Sequence, residues 1–294
     1  MAELVSLLQN LSNGLLIGGV YAMIGVGLTL IFGVMRTINF AHGDFVVMGM
    51  YTAFVFNMIL GWDPYFSLLV ALPAGFLMGV LLERVVLAPI VDKPHETSLL
   101  ATLGISLIIG NALLLIFGGE SKSVHVDYAS MALSLGEVKI SVILLIAGGV
   151  TALVIGGLYL LLHYTEFGRS IRATAENRLG AELVGINTRR IQGAVFGLGM
   201  MLAMTAGVAL IPLLFATPTA TGPILTLKAF VVIVLGGLGR VGAAVAGGLV
   251  LGMVEVMGAA YIASAYRDAY GLLFFLIILL FKPEGLFGRS VKRV

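Results

Sequence analysis

Nine apolar runs joined by short polar connections leave this chain few ways to fold. They cover residues 11–35, 43–60, 65–86, 97–118, 140–163, 191–215, 225–239, 242–263 and 269–281. A helix needs about 20 apolar residues to cross the hydrocarbon core of a bilayer. Of the 294 residues, 60% are hydrophobic and 11% charged, whereas soluble domains carry roughly 25% charge. The sequence therefore predicts an all-α polytopic membrane protein, with residues 1–294 forming a single transmembrane domain.

Three of the runs depart from an uninterrupted span. Runs 225–239 and 269–281 are short, and the run that begins at residue 43 follows a polar stretch from Thr37 to Asp44. Irregular backbone at membrane depth is tolerated only where protein or water satisfies its polar groups. We therefore expect about nine membrane segments, within a range of roughly eight to ten, some of them broken or re-entrant.

The basic residues predict the orientation of these segments. With the N-terminus outside, thirteen of the seventeen Lys and Arg residues fall on the inner side, as the positive-inside rule requires. The chain is therefore predicted to be N-out and C-in. Loop 164–190 and tail 282–294 then lie in the cytoplasm, and 118–139 is the longest outer loop.

Glycines at four-residue spacing predict close helix packing inside the membrane, because small residues let two helix backbones approach each other. These pairs are Gly14/Gly18, Gly75/Gly79, Gly193/Gly197 and Gly248/Gly252. We interpret them as packing seams and not as substrate sites.

The cytoplasmic loop 164–190 is the largest polar island in the sequence. Its apolar side chains recur at helical spacing, at Ala175, Leu179, Leu183 and Ile186. Gly185 suits a helix stop and Asn187 suits the N-cap of the next span. The pattern predicts one short amphipathic helix over 172–186, lying across the inner membrane face. Two interpretations stay open at this point: a docking helix for a soluble partner, or a solvated connector.

Five polar residues fall inside the predicted spans or just inside the inner boundary of the membrane, and they are candidates for lining a pathway. Polar and ionisable groups are costly within a membrane and default to a functional hypothesis. The five candidates are Asn39, His42, Asp44, Asn111 and Glu255. The alternative for the first group is that Asp44 caps the second helix and His42 bonds to backbone near the inner boundary. Asn111 suits either a bond between helices or a pore lining.

Glu255 has a second interpretation, because Lys228 enters the neighbouring segment at comparable depth. A Lys228–Glu255 ion pair would neutralise both charges within the membrane. We hypothesise structural pairing, with substrate contact by Glu255 as the alternative.

Sites for nucleotides, metals and catalysis are missing from the sequence pattern. There is no G-x-x-x-x-G-K-[ST] motif, and Gly237–Gly242 fits G-x-G-x-x-G without the βαβ context that a dinucleotide site requires. Cysteine is absent and the four histidines are isolated. We expect no catalytic residues, no metal and no cofactor on this chain, so ATP used for transport would bind to another protein.

Three motifs in order along the chain resemble one family. Residues 172–187 read RATAENRLGAELVGIN, residues 38–44 read INFAHGD, and residues 282–288 read KPEGLFG. Together they resemble permease subunits of bacterial ABC importers for branched-chain amino acids. The resemblance runs from end to end of the chain.

This resemblance implies an inner-membrane subunit that pairs with a second, related permease subunit, two ATP-binding subunits that carry ATP and Mg²⁺, and a periplasmic binding protein. The partners include membrane lipid and exclude nucleic acid. The cytoplasmic helix would then contact an ATPase subunit. Its coupling residues would be Arg172, Glu176, Asn177, Gly180, Ala181, Gly185 and Asn187.

The implied substrate is a branched-chain or other hydrophobic amino acid. Relatives that handle amides, urea or other amino acids keep those substrates open as alternatives. A stand-alone secondary transporter or channel is the rival class. It would need intramembrane acids to handle coupling ions, and only Asp44 and Glu255 are available.

Overall fold

The computed structural model describes residues 2–91, 93–237, 239–282 and 285–286. Its α-helices are α1 (Ala2–Met35), α2 (His42–Leu60), α3 (Leu68–Leu82), α4 (His95–Phe117), α5 (Val142–Tyr164), α6 (Glu166–Glu176), α7 (Arg178–Leu183), α8 (Thr188–Leu210), α9 (Thr221–Gly236), α10 (Val241–Tyr261) and α11 (Arg267–Phe281). Within these residues, eight helical stretches are long and apolar enough to cross a membrane, and α9 is a shorter apolar helix. The all-α polytopic prediction is confirmed.

The helices divide into an inner set and an outer set. In the apolar stretch of each helix, 89% of the residues of α8 and 78% of those of α1 are buried inside the protein. The corresponding share is 22% for each of the spans that contain α3, α4 and α5. Around α1 and α8 pack α2, α9 and α10. The outer helices therefore present apolar faces that suit lipid or another membrane subunit.

Glycine seams bring the inner helices into backbone contact. A Cβ placed on Gly18 of α1 would lie 2.9 Å from the Gly248 carbonyl oxygen of α10. On the other side, a Cβ on Gly79 of α3 would lie 2.8 Å from the Gly197 Cα of α8. Both distances are too short for a side chain, so the predicted packing seams are confirmed at these positions.

The second span is broken, as the polar stretch before it predicted. Helix α1 ends at Met35, Arg36 adopts a positive φ of 52°, and the chain has no regular structure until α2 begins at His42. His42 lies beside Ile24 of α1, which is eleven residues (35 − 24) before the end of that helix, or about 16 Å along its axis. The segment 36–41 therefore re-enters the protein, and the expectation that it stays near the inner boundary is wrong.

Helix α9 is short, and irregular residues 211–220 separate it from α8. Its sixteen residues span only about 24 Å, less than the hydrocarbon thickness. The starts of α2 and α9 meet: the Gly43 amide donates to Thr226 Oγ1 at 2.9 Å, and Thr226 Oγ1 donates to the Phe40 carbonyl at 3.1 Å.

The outer loop 118–139 has structure that the sequence analysis did not predict. Strands β1 (Ala132–Leu135) and β2 (Val138–Ser141) form an antiparallel hairpin. Reciprocal backbone bonds of 2.9 and 2.8 Å join Lys122 to Ala216, and Tyr128 OH donates to Asp63 Oδ2 at 2.6 Å. This hydrogen bond raises the pKa of Tyr128, together with burial, which is the larger cause. The loop is therefore anchored to two neighbouring outer turns.

Candidate functional site

The residues 39–44 together with Thr226 form a buried polar cluster where α2 and α9 begin, here called the interrupted-helix site. Asn39, His42 and Asp44 are each no more than 2% exposed. His42 Nε2 lies 2.9 Å from the Ile24 carbonyl. The structure thus brings together three of the five candidate pathway residues.

Hydrogen bonding at this site is incomplete among the residues that the structure describes. Asn39 Oδ1 accepts from the Ala41 amide at 3.1 Å, but His42 Nδ1 and Asp44 Oδ2 have no partner. A buried polar atom without a partner costs about 1–3 kcal/mol. The site therefore has capacity left for a polar ligand or water.

Asp44 does not cap α2, contrary to one sequence interpretation. The N-cap is Ala41, which makes no side-chain capping bond, and Asp44 lies in the first turn. There its charge faces the positive end of the helix dipole. The interpretation that His42 bonds to backbone is confirmed, although the carbonyl belongs to α1 in the protein interior.

Glu255 lies in a separate cluster, the charge network, formed by Tyr21, Lys228, Glu255, Arg267 and Asp268. Lys228 Nζ donates to Glu255 Oε1, and Tyr21 OH donates to Glu255 Oε2 at 2.9 Å. Lys228 Nζ also lies 2.9 Å from Asp268 Oδ1, and Arg267 Nε is 3.8 Å from Glu255 Oε2. The Glu255 side chain is 1% exposed, so its charge is balanced inside the protein.

The charge network joins four helices, α1, α9, α10 and α11, and occupies both oxygens of Glu255. Only a cavity of about 30 Å³ lies beside it, which holds roughly one water molecule. The geometry favours the structural role of Glu255 over contact with a substrate. Tyr21, Arg267 and Asp268 escaped the sequence analysis because nothing in the spacing relates α1 or α11 to α9.

Asn111 lies apart from both clusters. It is exposed on α4, and its Nδ2 donates to the Leu107 carbonyl one turn earlier at 2.7 Å. It makes no bond to another described helix. Its exposed neighbours are apolar, Leu107, Ile108 and Leu115, so Asn111 is a polar position on an otherwise apolar outer face.

The cytoplasmic segment is two helices, and the prediction of one helix over 172–186 is wrong. Asn177, with φ −149° and ψ 101°, ends α6 and caps α7 by accepting from the Gly180 amide at 2.9 Å. An asparagine side chain competes in this way for backbone donors. The members of the predicted apolar stripe differ in exposure: Ala175 and Ile186 pack against the core, whereas Leu179 and Leu183 are 69% and 82% exposed.

A second set of side-chain hydrogen bonds connects α7 to the start of α8. Glu182 Oε1 accepts from Thr188 Oγ1 at 2.5 Å and from Arg178 Nε at 3.3 Å. These two bonds, the Thr188 bond foremost, lower the pKa of Glu182. Asn187 caps α8 by accepting from the Arg190 amide at 3.1 Å, and Gly185 turns the chain with φ 88°, as the sequence predicted.

The residues predicted to couple the segment to an ATPase lie around α6 and α7 with different exposures. Arg172, Glu176, Asn177, Gly185 and Asn187 are exposed, Gly180 is half-buried and Ala181 is buried. A cavity of about 400 Å³ lies between the end of α1 and two of these residues, Glu176 and Asn177, and Arg36 and Gln192 also line it. The segment 164–190 therefore faces Arg36, the residue directly after the end of α1.

Glu83 is a buried acid that the sequence analysis did not single out. It is 2% exposed and opens a π-helical turn, Glu83–Leu87, at the end of α3. Its Oε2 faces Gly193 of α8, where an added Cβ would lie 3.0 Å away. A charged residue inside run 65–86 was the signal that pointed to it.

Comparison with known proteins identifies the family. The family described as "Branched-chain amino acid transport system / permease component" matches residues 10–282. The chain belongs to this permease family. It is a non-enzymatic transport component of the inner membrane.

Individual relatives agree over the whole length. The chain is 33% identical to "High-affinity branched-chain amino acid transport system permease protein BraD" of Pseudomonas aeruginosa, with 100% of both chains covered. It is 31% identical to LivH, the permease protein of the same description in Escherichia coli K12, covering 98% and 97% of the two chains. A "probable" LivH of Methanocaldococcus jannaschii is 30% identical, with 97% and 93% covered.

A solved structure shares the fold. It is "PsaBC from Streptococcus pneumoniae in complex with Fab", with a TM-score of 0.52 at 13% identity, covering 94% of this chain and 91% of that one. Of the three family motifs, the C-terminal one lies mostly outside the described residues, because Pro283, Glu284, Phe287 and Gly288 fall there.

Proposed function

We propose that this permease subunit carries branched-chain amino acids inward in an ATP-driven importer. Two separate ATP-binding subunits would supply the energy, a second, related permease subunit would complete the pathway, and a periplasmic binding protein would deliver the substrate. The relatives BraD and LivH are both described as branched-chain amino acid permeases, which supports this substrate class. ATP and Mg²⁺ would be held by the partners.

The observation that carries this proposal is the exposed apolar surface of α7. Leu179, Leu183 and Val184 are between 69% and 82% exposed on a segment rich in charge. Exposed apolar groups clustered within a polar rim mark interaction sites. With the predicted N-out orientation this surface faces the cytoplasm, where a soluble ATPase subunit has access to it.

The bonding around α7 provides a route for coupling. Movement of α7 would pull on α8 through Glu182 and Thr188. The same movement would reach Arg36 across the shared cavity, and residues 36–41 lead from there to the interrupted-helix site. Asn39, His42 and Asp44 would then change their exposure to the pathway. Asn111, on the exposed face of α4, would line the pathway where the second permease subunit closes it.

The coupling step is tested by Glu176→Arg and Gly180→Trp in the reconstituted importer. Both should leave the subunit inserted but reduce substrate-stimulated ATPase activity and uptake together, by about tenfold or more, because they alter the exposed face of the segment. Glu166→Arg is the matched control, since it reverses a charge in the first turn of α6. Unchanged uptake in both variants would remove this segment from the mechanism.

The rival class is tested with the same preparation. Uptake by this chain alone, driven by an ion gradient without ATP, would contradict the importer proposal. The substrate is tested separately by competition of leucine uptake with isoleucine, valine, urea and amides. Stronger competition by urea or an amide than by valine would move the proposal to that substrate class.

A further inference from the structure

A cavity of about 390 Å³ opens on the inner side of the protein, between the last turns of α1, the end of α5, helix α6 and the start of α10. We call it the inner cavity. Most of its wall is apolar and comes from Leu30, Val34, Leu162, Ile171 and Val241. A cavity with such a wall suits a hydrocarbon chain better than a small hydrophilic solute.

The inner cavity is also lined by basic side chains. Arg172 and Arg240 both line it, and Arg172 forms no ion pair with any residue in the described part of the chain. Helix α10, which has 21 residues, begins here with Arg240 as its N-cap. The first amides of α10 and its dipole therefore favour an anion.

An independent observation comes from Thr29, which also lines the inner cavity. The side chain is 1% exposed, and Oγ1 has no hydrogen-bond partner among the residues described. A buried hydroxyl in a helix usually bonds to the carbonyl one turn earlier. This one keeps its bonding capacity for something inside the cavity.

We propose that the inner cavity binds an anionic phospholipid of the cytoplasmic leaflet. The phosphate would lie between Arg172, Arg240 and the start of α10, and an acyl chain would follow the apolar wall toward Leu30. Basic pockets between membrane helices on the cytoplasmic side bind anionic headgroups in this way. A free amino acid fits less well, because none of the described lining residues is acidic and its ammonium group would lack a partner.

This proposal is independent of the transported substrate, since it concerns only the wall of the cavity. It connects lipid to the cytoplasmic segment, because Arg172 lies on α6 and Ala175 of the same helix also lines the cavity. A bound phosphate would hold α6 against α1 and α10. Lipid composition would thereby set how firmly the segment α6–α7 is docked.

The test measures lipid binding to the delipidated, purified full chain, by native mass spectrometry and by thermal unfolding. Phosphatidylglycerol should bind at least tenfold more tightly than phosphatidylcholine and should raise the Tm. Arg172→Gln should lose this preference, whereas Arg169→Gln, which removes an arginine that faces Glu166 on the same helix, should keep it. Equal binding of the two lipids, or equal loss in both arginine variants, would overturn the proposal.

A second variant separates binding from folding. Thr29→Val removes a hydroxyl that has no protein partner and should leave the Tm of the delipidated protein unchanged, while weakening phosphatidylglycerol binding several-fold. Inorganic phosphate is the remaining probe. If it raises the Tm as much as phosphatidylglycerol at equal concentration, the site binds free phosphate and the lipid assignment is wrong; unaltered lipid binding by Thr29→Val would also contradict it.

Discussion

At the scale of single residues, the charge network shows how this fold tolerates ions inside a membrane protein. Glu255 has both oxygens engaged, by Lys228 and Tyr21, and Asp268 gives Lys228 a second acid. Removing one partner of a buried pair leaves an uncompensated charge, whereas removing both does not. The network should therefore behave as a unit.

Lys228→Met is predicted to lower the unfolding free energy by about 3–5 kcal/mol, because it leaves the buried Glu255 without its main partner. Glu255→Gln should lower it less, because Asp268 still pairs with Lys228. The double variant should lose less unfolding free energy than the sum of the two single losses. Thermal unfolding of the purified protein measures the stability of the two single variants and the double variant. Lys122→Met, which breaks the more exposed Lys122–Glu120 ion pair, is the control. Normal assembly with lost transport in Glu255→Gln would instead assign Glu255 to the pathway.

Glu182 gives a prediction for pH. Because its pKa is lowered in the folded protein, the carboxylate stabilises the α7–α8 junction above the ordinary value of 4.5. That contribution is lost as the pH falls through the lowered value. Hydrogen-exchange protection of residues 178–188 should drop at acid pH in the wild type and be low at every pH in Glu182→Gln. If protection depended on pH in Glu182→Gln as it does in the wild type, this prediction would be contradicted.

At the scale of elements, close backbone contact decides which helices form the core. A Cβ on Gly252 would overlap the backbone of Gly18, whereas Gly149 of α5 has open space around it. Both glycines lie inside apolar helices of similar length. The sequence alone does not distinguish them.

Gly252→Val should separate α1 from α10 and reduce the yield of folded protein severely, since the contact is between backbones that cannot move apart without loss of the seam. Gly149→Val should be tolerated, and the higher helix propensity of valine makes it neutral or slightly stabilising. Size-exclusion chromatography and the Tm measure both. Equal behaviour of the two variants would show that the seam does not hold the core together.

At the scale of the whole molecule, the five helices α1 to α5 precede the segment 164–190. If each crosses the membrane, their odd number puts the N-terminus and this segment on opposite faces. The sequence contains no cysteine, so single cysteines can map this arrangement without background. Glu120→Cys should react with a membrane-impermeant thiol reagent added outside intact cells, and Ser170→Cys should react only after the membrane is opened. The reverse pattern would invert the predicted orientation and remove α7 from the cytoplasm.

The sequence by itself determined the membrane class, the helical runs and the family, because these depend on apolar length, charge distribution and motifs that are local along the chain. The caps at Gly185 and Asn187 were equally readable, since a cap involves only neighbouring residues. The Lys228–Glu255 ion pair could also be hypothesised from the sequence, because the two opposite charges lie at comparable depth in adjacent segments.

Only the tertiary structure decided the depth of Asn39, His42 and Asp44, because the re-entry of residues 36–41 depends on packing against α1, α8 and α9. It also decided the outward position of Asn111. The break at Asn177 rests instead on a local capping bond to Gly180, which the prediction of one continuous helix overlooked. The inner cavity exists only where the neighbouring helices α5 and α6 meet α1 and α10, which are distant from them in sequence. The depth of the buried polar residues, the position of Asn111 and the inner cavity depend on contacts between helices. The spacing of residues along a single helix does not predict them.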